Sequence, residues 1–344
     1  DKATNKLLIR QSRPLPLAPA EDAISQSVRD NYISPLIAGF KIEAFNNDST
    51  TMVIKVNDIY DGTETSINNV FTNINLGTSS IKNLSRILSI KSFENNVVAT
   101  SELTTKVTEG TTSIYVTVEV SSSLMLLPET PMTGRLDNAR VGYFTNPLLS
   151  YSDGQQRVSK QQFITRWRLE PKPEDREHYL RGELVEPAKP IVFYIENSTP
   201  YRWRKYIKQG IEDWQVAFER AGFKNAIIAK DITDSMTVDM DDVNYSVLTY
   251  AASTKANAMG PSILDPRSGE ILEADIMWWH NVLNMLQEWI TVQTGTVRPE
   301  ARGIKLSDEL MGDAMRFVAC HEVGHSLGLR HNMMGSWAFP TDSL

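Results

Sequence analysis

The residues best placed to do chemistry lie together near the end of the chain, in His321-Glu322-Val323-Gly324-His325-Ser326-Leu327-Gly328-Leu329-Arg330-His331. Residues i and i+4 of a helix stand one turn apart on one face, so His321 and His325 can offer ring nitrogens to one metal ion. Gly328 falls where the helix must stop, and glycine enters the left-handed region without steric cost. The chain then turns back and brings His331 to the same point. Three neutral imidazoles leave a fourth tetrahedral position open, which is the ligand set of a catalytic Zn2+ rather than a structural one. Glu322, between the first two ligands, is the candidate general base, able to take a proton from a metal-activated water.

This site needs a helix that ends at Gly328. Ser307 reads as its N-cap, with Asp308 and Glu309 in the first turn, where negative charge suits the helix dipole. Ala314, Phe317 and Val318 are expected to pack it against a sheet. Upstream, Ile191–Glu196 reads as a buried strand and Tyr201–Ala221 as one amphipathic helix stopped by Gly222. Further strands are expected at 226–229, 245–250, 261–264 and 270–278, the last two joined by an Asp265–Gly269 hairpin turn. Helices are expected at 282–292 and 308–327. Such alternation implies a mixed sheet covered by helices.

The first half has a different grammar. From Phe40 to about Val120 it is rich in Thr, Ser, Asn, Val and Ile, in short alternating runs divided by turn pairs such as Asp61-Gly62 and Glu109-Gly110, a pattern of antiparallel strands. Ala20–Asp30 reads as a short helix. Leu126–Met132 and Gly142–Asn146 read as irregular crossing segments. The Pro- and charge-rich stretch from Pro171 to Pro190 is the best linker candidate. The expected organisation is α+β: a β-rich N-terminal domain with linker over 1–185, then a second domain, a mixed twisted sheet with helices that carries the histidine motif, over 186–344.

Composition narrows the function. Apolar residues make up 41% and charged residues 22%, as in ordinary globular domains, and the formal charge is −7 from 35 basic and 42 acidic residues. That balance, without a basic stripe, argues against a nucleic-acid partner. No apolar run is long enough for a transmembrane segment. The single cysteine, Cys320, precludes an intramolecular disulfide and reads as a packed residue beside the first ligand. His178 reads as solvated and His280 as a packed or capping histidine.

Beyond its own logic, the chain resembles a bacterial family of secreted zinc-dependent metallopeptidases, with metzincin-type catalytic domains preceded by domains of formerly unknown function. The resemblance rests on HEVGHSLGLRHNM at His321–Met333, GPSILDPRSGEILEADI at Gly260–Ile276, RVGYF at Arg140–Phe144, RWRLE at Arg166–Glu170 and LLPETPM at Leu126–Met132. It spans roughly Leu126 to the end, with looser patches such as KIEAF and SFENN before it. It implies a metzincin fold from about Glu186. It also implies an antiparallel edge strand above the cleft, assigned to Gly260, Pro261, Ser262, Ile263 and Leu264, to which an extended protein or peptide substrate adds by main-chain hydrogen bonds. The resembled family is secreted, so a periplasmic, cell-surface or extracellular bacterial location is implied. Metzincins carry a methionine turn beneath the metal. Met333 and Met334 stand too close to His331 to form it, so the expectation is a C-terminally truncated domain in which His331, on a loop, is displaced or mobile. The expected function is zinc-dependent endopeptidase. The alternatives are a binding or adhesion module with a vestigial zinc site, and hydrolysis of a non-peptide bond.

Overall fold

The computed structural model describes residues 1, 3–11, 15–76 and 79–340. They form two compact units, Asp1–Leu127 with Leu149–Ser159, and Pro128–Leu148 with Lys160–Leu344. The expectation of a C-terminally truncated domain turns on residues that include 341–344, which lie outside the described residues.

The first unit is β-rich. One antiparallel sheet joins Lys6–Arg10, Leu36–Phe45 and Met52–Ile54. A second joins Arg86–Ser92, Asn96–Glu109 and Thr112–Met125. The last two form one long hairpin, in register from Asn96 opposite Met125 to Glu109 opposite Thr112. Gly110, at φ 59°, turns that hairpin where the Glu109-Gly110 pair predicts it. The expected short helix is present as Ile24–Asn31.

The second unit holds the motif. Its main sheet contains β1 (Ile191–Ile195), β2 (Ile227–Asp231), β3 (Ser246–Ala251), β4 (Ala258–Met259) and β5 (Ile276–Trp279), in spatial order β2-β1-β3-β5-β4. Four strands are parallel, and the short edge strand β4 runs antiparallel to β5. Alternation along β1 buries Ile191, Phe193 and Ile195. They pack in the core with Trp203, Ile207 and Ile211 of α1 (Tyr201–Glu212) and Met315, Ala319 and Val323 of α2 (Asp308–Ser326).

Several local expectations change. The helix predicted over Tyr201–Ala221 is two helices, since Gln215–Arg220 is separate. The break falls at Asp213 and Trp214, and both side chains reach α2. The Asp213 carboxylate accepts two bonds from Arg316, at 2.6 and 2.7 Å, and Trp214 Nε1–H donates to the Cys320 carbonyl at 2.8 Å. The predicted strand over 270–278 is also two, Glu270–Ala274 and β5, in different sheets. The Asp265–Gly269 hairpin forms between Ser262–Asp265 and Glu270–Ala274.

The antiparallel edge of the main sheet is Ala258–Met259, while Ser262–Asp265 is the edge of a separate three-stranded sheet. Gly260 lies between these two strands. A Cβ there would lie 2.7 Å from the Glu322 carbonyl oxygen, so the chain passes hard against α2 and leaves the main sheet. The Pro171–Pro190 stretch, read as a linker, is folded within the second unit: Pro171 bridges Pro187, and Val185 is buried and bridges Phe223.

Candidate metal centre

Ser307 caps α2 as its sequence predicts, its hydroxyl accepting from Leu310 N–H at 3.1 Å. At the other end Gly328 adopts φ 98°. Leu329 N–H donates to the Gly324 carbonyl at 3.0 Å and Gly328 N–H to the His325 carbonyl at 2.9 Å. This is a Schellman closure, and it reverses the chain toward the helix face that carries His321 and His325.

The reversal brings His331 back to the helix. Its Nε2 lies 3.1 Å from His321 Nε2 and 3.2 Å from His325 Nε2. Tetrahedral zinc with bonds of about 2.0–2.1 Å to nitrogen separates its ligand nitrogens by about 3.3–3.4 Å. The three imidazoles therefore fit such an ion by distance as well as by donor type, and all their ligand atoms lie within 4.8 Å of one another. The expectation of a displaced third ligand does not hold: His331 stands with the other two. His325 Nδ1 lies 2.8 Å from the Leu329 carbonyl oxygen. That contact requires the proton on Nδ1 and leaves the Nε2 lone pair for a metal. Burial, reinforced by the neighbouring imidazoles of His325 and His331, lowers the His321 pKa and favours the neutral, ligating form.

Glu322 is buried, at 9% exposure. Burial raises its carboxyl above the usual carboxylate range, against a smaller downward pull from His325. Val318 is buried as expected, but Phe317 is exposed, its ring 6.4 Å from that of His321. The side chain sits beside the His321 imidazole rather than under the helix. A cavity of about 620 Å3 opens beside the imidazoles, with Val141, Trp214, Phe317, Leu329 and Met333 among its lining residues. Cys320 is part-buried, and burial raises its thiol pKa. His280 lies away from the triad, its Nδ1 2.8 Å from the Tyr250 hydroxyl. His178 pairs with Glu183 at 2.8 Å and remains half exposed.

Residues that the sequence treated as irregular crossing chain reach this site. The Gly142 carbonyl accepts from Arg330 N–H, and Phe144 N–H donates to the Gly328 carbonyl, both at 2.8 Å. Tyr143 and Leu329 form an antiparallel bridge between them. The Phe144 ring centre is 5.9 Å from that of His325. These contacts are mainly backbone bonds, which carry no side-chain signature. Only the RVGYF resemblance singled out the segment.

No helix among the described residues is long and apolar enough to cross a membrane. No curated protein and no solved structure matches the chain. Residues 303–344 match the family model described as Met-zincin, which covers the three histidines and Glu322. Residues 1–172 match the model of a domain of unknown function, DUF5117. The DUF5117 match covers half of the sequence, and the chain belongs to the DUF5117 family; its residues 303–344 are similar to the Met-zincin model.

Proposed function

We propose that the chain is a zinc endopeptidase of a bacterial cell exterior, with Glu322 as its general base. The convergence of the His321, His325 and His331 Nε2 atoms carries this reading, together with the Met-zincin match over the same residues. His321, His325 and His331 would hold the ion. Bound zinc supplies a Lewis acid that acidifies water to near neutrality and polarises a carbonyl. The chain's own residues do the rest. Leu329 fixes the His325 tautomer through its carbonyl. Glu322, on the same helix and next to His321, accepts the proton of the attacking water and passes it to the leaving amine.

The segment Gly260–Leu264, which leads into the strand Ser262–Asp265, is proposed as the substrate-binding edge. Ser262–Asp265 is hydrogen-bonded to a neighbouring strand on one side only, and Gly260 abuts Glu322. An extended peptide can add to such an edge. The test is cleavage of casein or gelatin by the protein, its loss on chelation and its return with zinc. Zinc-loaded protein that cleaves neither, nor any member of a peptide library, would sink the peptidase reading.

A further inference from the structure

The boundary of the DUF5117 match and the boundary of the compact units do not coincide. Residues 128–148 and 160–172 match DUF5117, yet they belong to the unit that holds the metal site. Within that unit they lie against the turn and loop between His325 and His331.

The contacts form a chain. Arg330 and Gly328 are hydrogen-bonded to Gly142 and Phe144, one on each side of the Tyr143–Leu329 bridge. Behind that pairing, the Phe144 carbonyl accepts from Thr165 N–H at 2.8 Å. Arg166 N–H donates to the Gly269 carbonyl at 3.0 Å, and Arg166–Trp167 pairs with Glu270 and Ile271 as a parallel strand. Trp167 Nε1–H donates to the Ser326 carbonyl at 2.9 Å, at the last turn of α2. The ligand loop is thereby tied through two DUF5117 stretches to a sheet.

The Leu329 carbonyl gives this tie its chemical consequence. It holds Nδ1 of His325, and its own position is set by the bonds of its two neighbours to Gly142 and Phe144. Moving those strands turns an imidazole and moves the chain that leads to His331. We propose that the C-terminal part of the DUF5117 region is a brace of the metal centre, in which Gly142, Phe144, Thr165 and Trp167 are positioning residues for His325 and His331. It is therefore not a separable neighbour of the catalytic part, and a catalytic domain begun at 186 would lack its brace. The inference rests on the metal-binding half of the proposed function and not on the substrate.

The test uses the full chain with Trp167→Phe, which keeps a smaller aromatic ring and removes the donor, and Phe144→Ala, which removes the ring beside His325, with Phe144→Tyr as the conservative variant. Ile195→Ala, in the sheet core, serves as a control for stability loss alone. Zinc affinity is read by competition with a chromophoric chelator, and ligand geometry by the visible absorption of the cobalt-substituted protein. Both brace variants are expected to lose about 10–100-fold in zinc affinity and to show an altered cobalt spectrum, since partners that orient ligands carry effects of that size. Phe144→Tyr and Ile195→Ala are expected to keep both near wild type. Should Phe144→Ala fail to fold, Trp167→Phe decides. Brace variants within twofold of wild type with an unchanged spectrum would overturn the proposal. So would an equal loss in Ile195→Ala, or a wild-type chain that binds no zinc. A wild type that binds zinc but cleaves no peptide would remove the peptidase reading and leave the brace to be judged by affinity.

Discussion

The carbonyl oxygen of Thr165 occupies the space where a side chain on Gly328 would begin: a Cβ there would lie 2.1 Å away. Two demands meet at this glycine. Its φ of 98° is costly for other residues, and the neighbouring obstacle is backbone, which cannot swing aside. Gly328→Ala is expected to destabilise the protein by about 2 kcal/mol or more, from backbone strain together with overpacking. Because the strain falls between two of the proposed ligands, His325 and His331, zinc affinity should drop as well. Thermal unfolding and zinc titration check this, and a variant that melts and binds like wild type would show that the turn can relax.

The same glycine shows what was legible in the sequence. Its place after an i, i+4 histidine pair predicted a helix end and a returning third ligand, because helical spacing and the left-handed preference are local rules. Ser307, Gly110 and the Asp265–Gly269 turn were legible for the same reason. Thr165 was not, because its role is a carbonyl oxygen delivered from a distant part of the chain. The break at Asp213–Trp214 was hidden too, since the apolar spacing runs on through Phe218 while the tertiary bonds to Arg316 and Cys320 decide the local geometry. Gly260 looked like the start of a strand, and its approach to α2 makes it the bend between two. The composition of Pro171–Pro190 marks a linker, yet burial of Val185 docks it.

Replacement of Glu322, the proposed base, separates binding from chemistry. Glu322→Gln keeps the size of the side chain and leaves all three imidazoles in place. It is expected to bind zinc within a few-fold of wild type and to lose about 10²–10⁴-fold in kcat, the usual worth of a positioned base. Zinc content by metal analysis and turnover of a peptide substrate are the two readouts. Turnover close to wild type in the zinc-loaded variant would remove Glu322 from its assigned role.

His331 Nε2 stands 3.2 Å from His325 Nε2 and 3.1 Å from His321 Nε2, so all three imidazoles can reach one ion. His331→Ala and His325→Ala are each expected to weaken zinc binding by several orders of magnitude, because two imidazoles hold the ion far less well than three. His325→Ala also removes the contact to the Leu329 carbonyl, so it should cost at least as much. The measurement is competitive metal titration of both variants. His331→Ala with undiminished affinity would mean that the ion sits elsewhere.

A pH-dependent term in stability comes from a different part of the second unit. Glu273 and Asp275 share a buried site, and burial together with the Asp275 carboxyl raises Glu273 from the ordinary 4.5 to about 9. Burial also raises Asp275, against opposing hydrogen bonds from Glu273 and the Val247 N–H. The pair therefore keeps a proton in the folded protein that the unfolded chain releases. Below the unfolded Glu273 pKa both states are protonated and the group costs nothing. As pH rises from there toward about 9, the unfolded state ionises while the folded state does not, so stability falls throughout that window. Glu273→Gln removes the titrating proton and can still donate to Asp275. The wild type is expected to lose more Tm than the variant between about pH 5 and pH 8, by roughly 3 °C or more. Comparing the two slopes cancels the other titrating groups. Parallel Tm profiles for wild type and Glu273→Gln would show that the pair ionises in the folded state as it does in water.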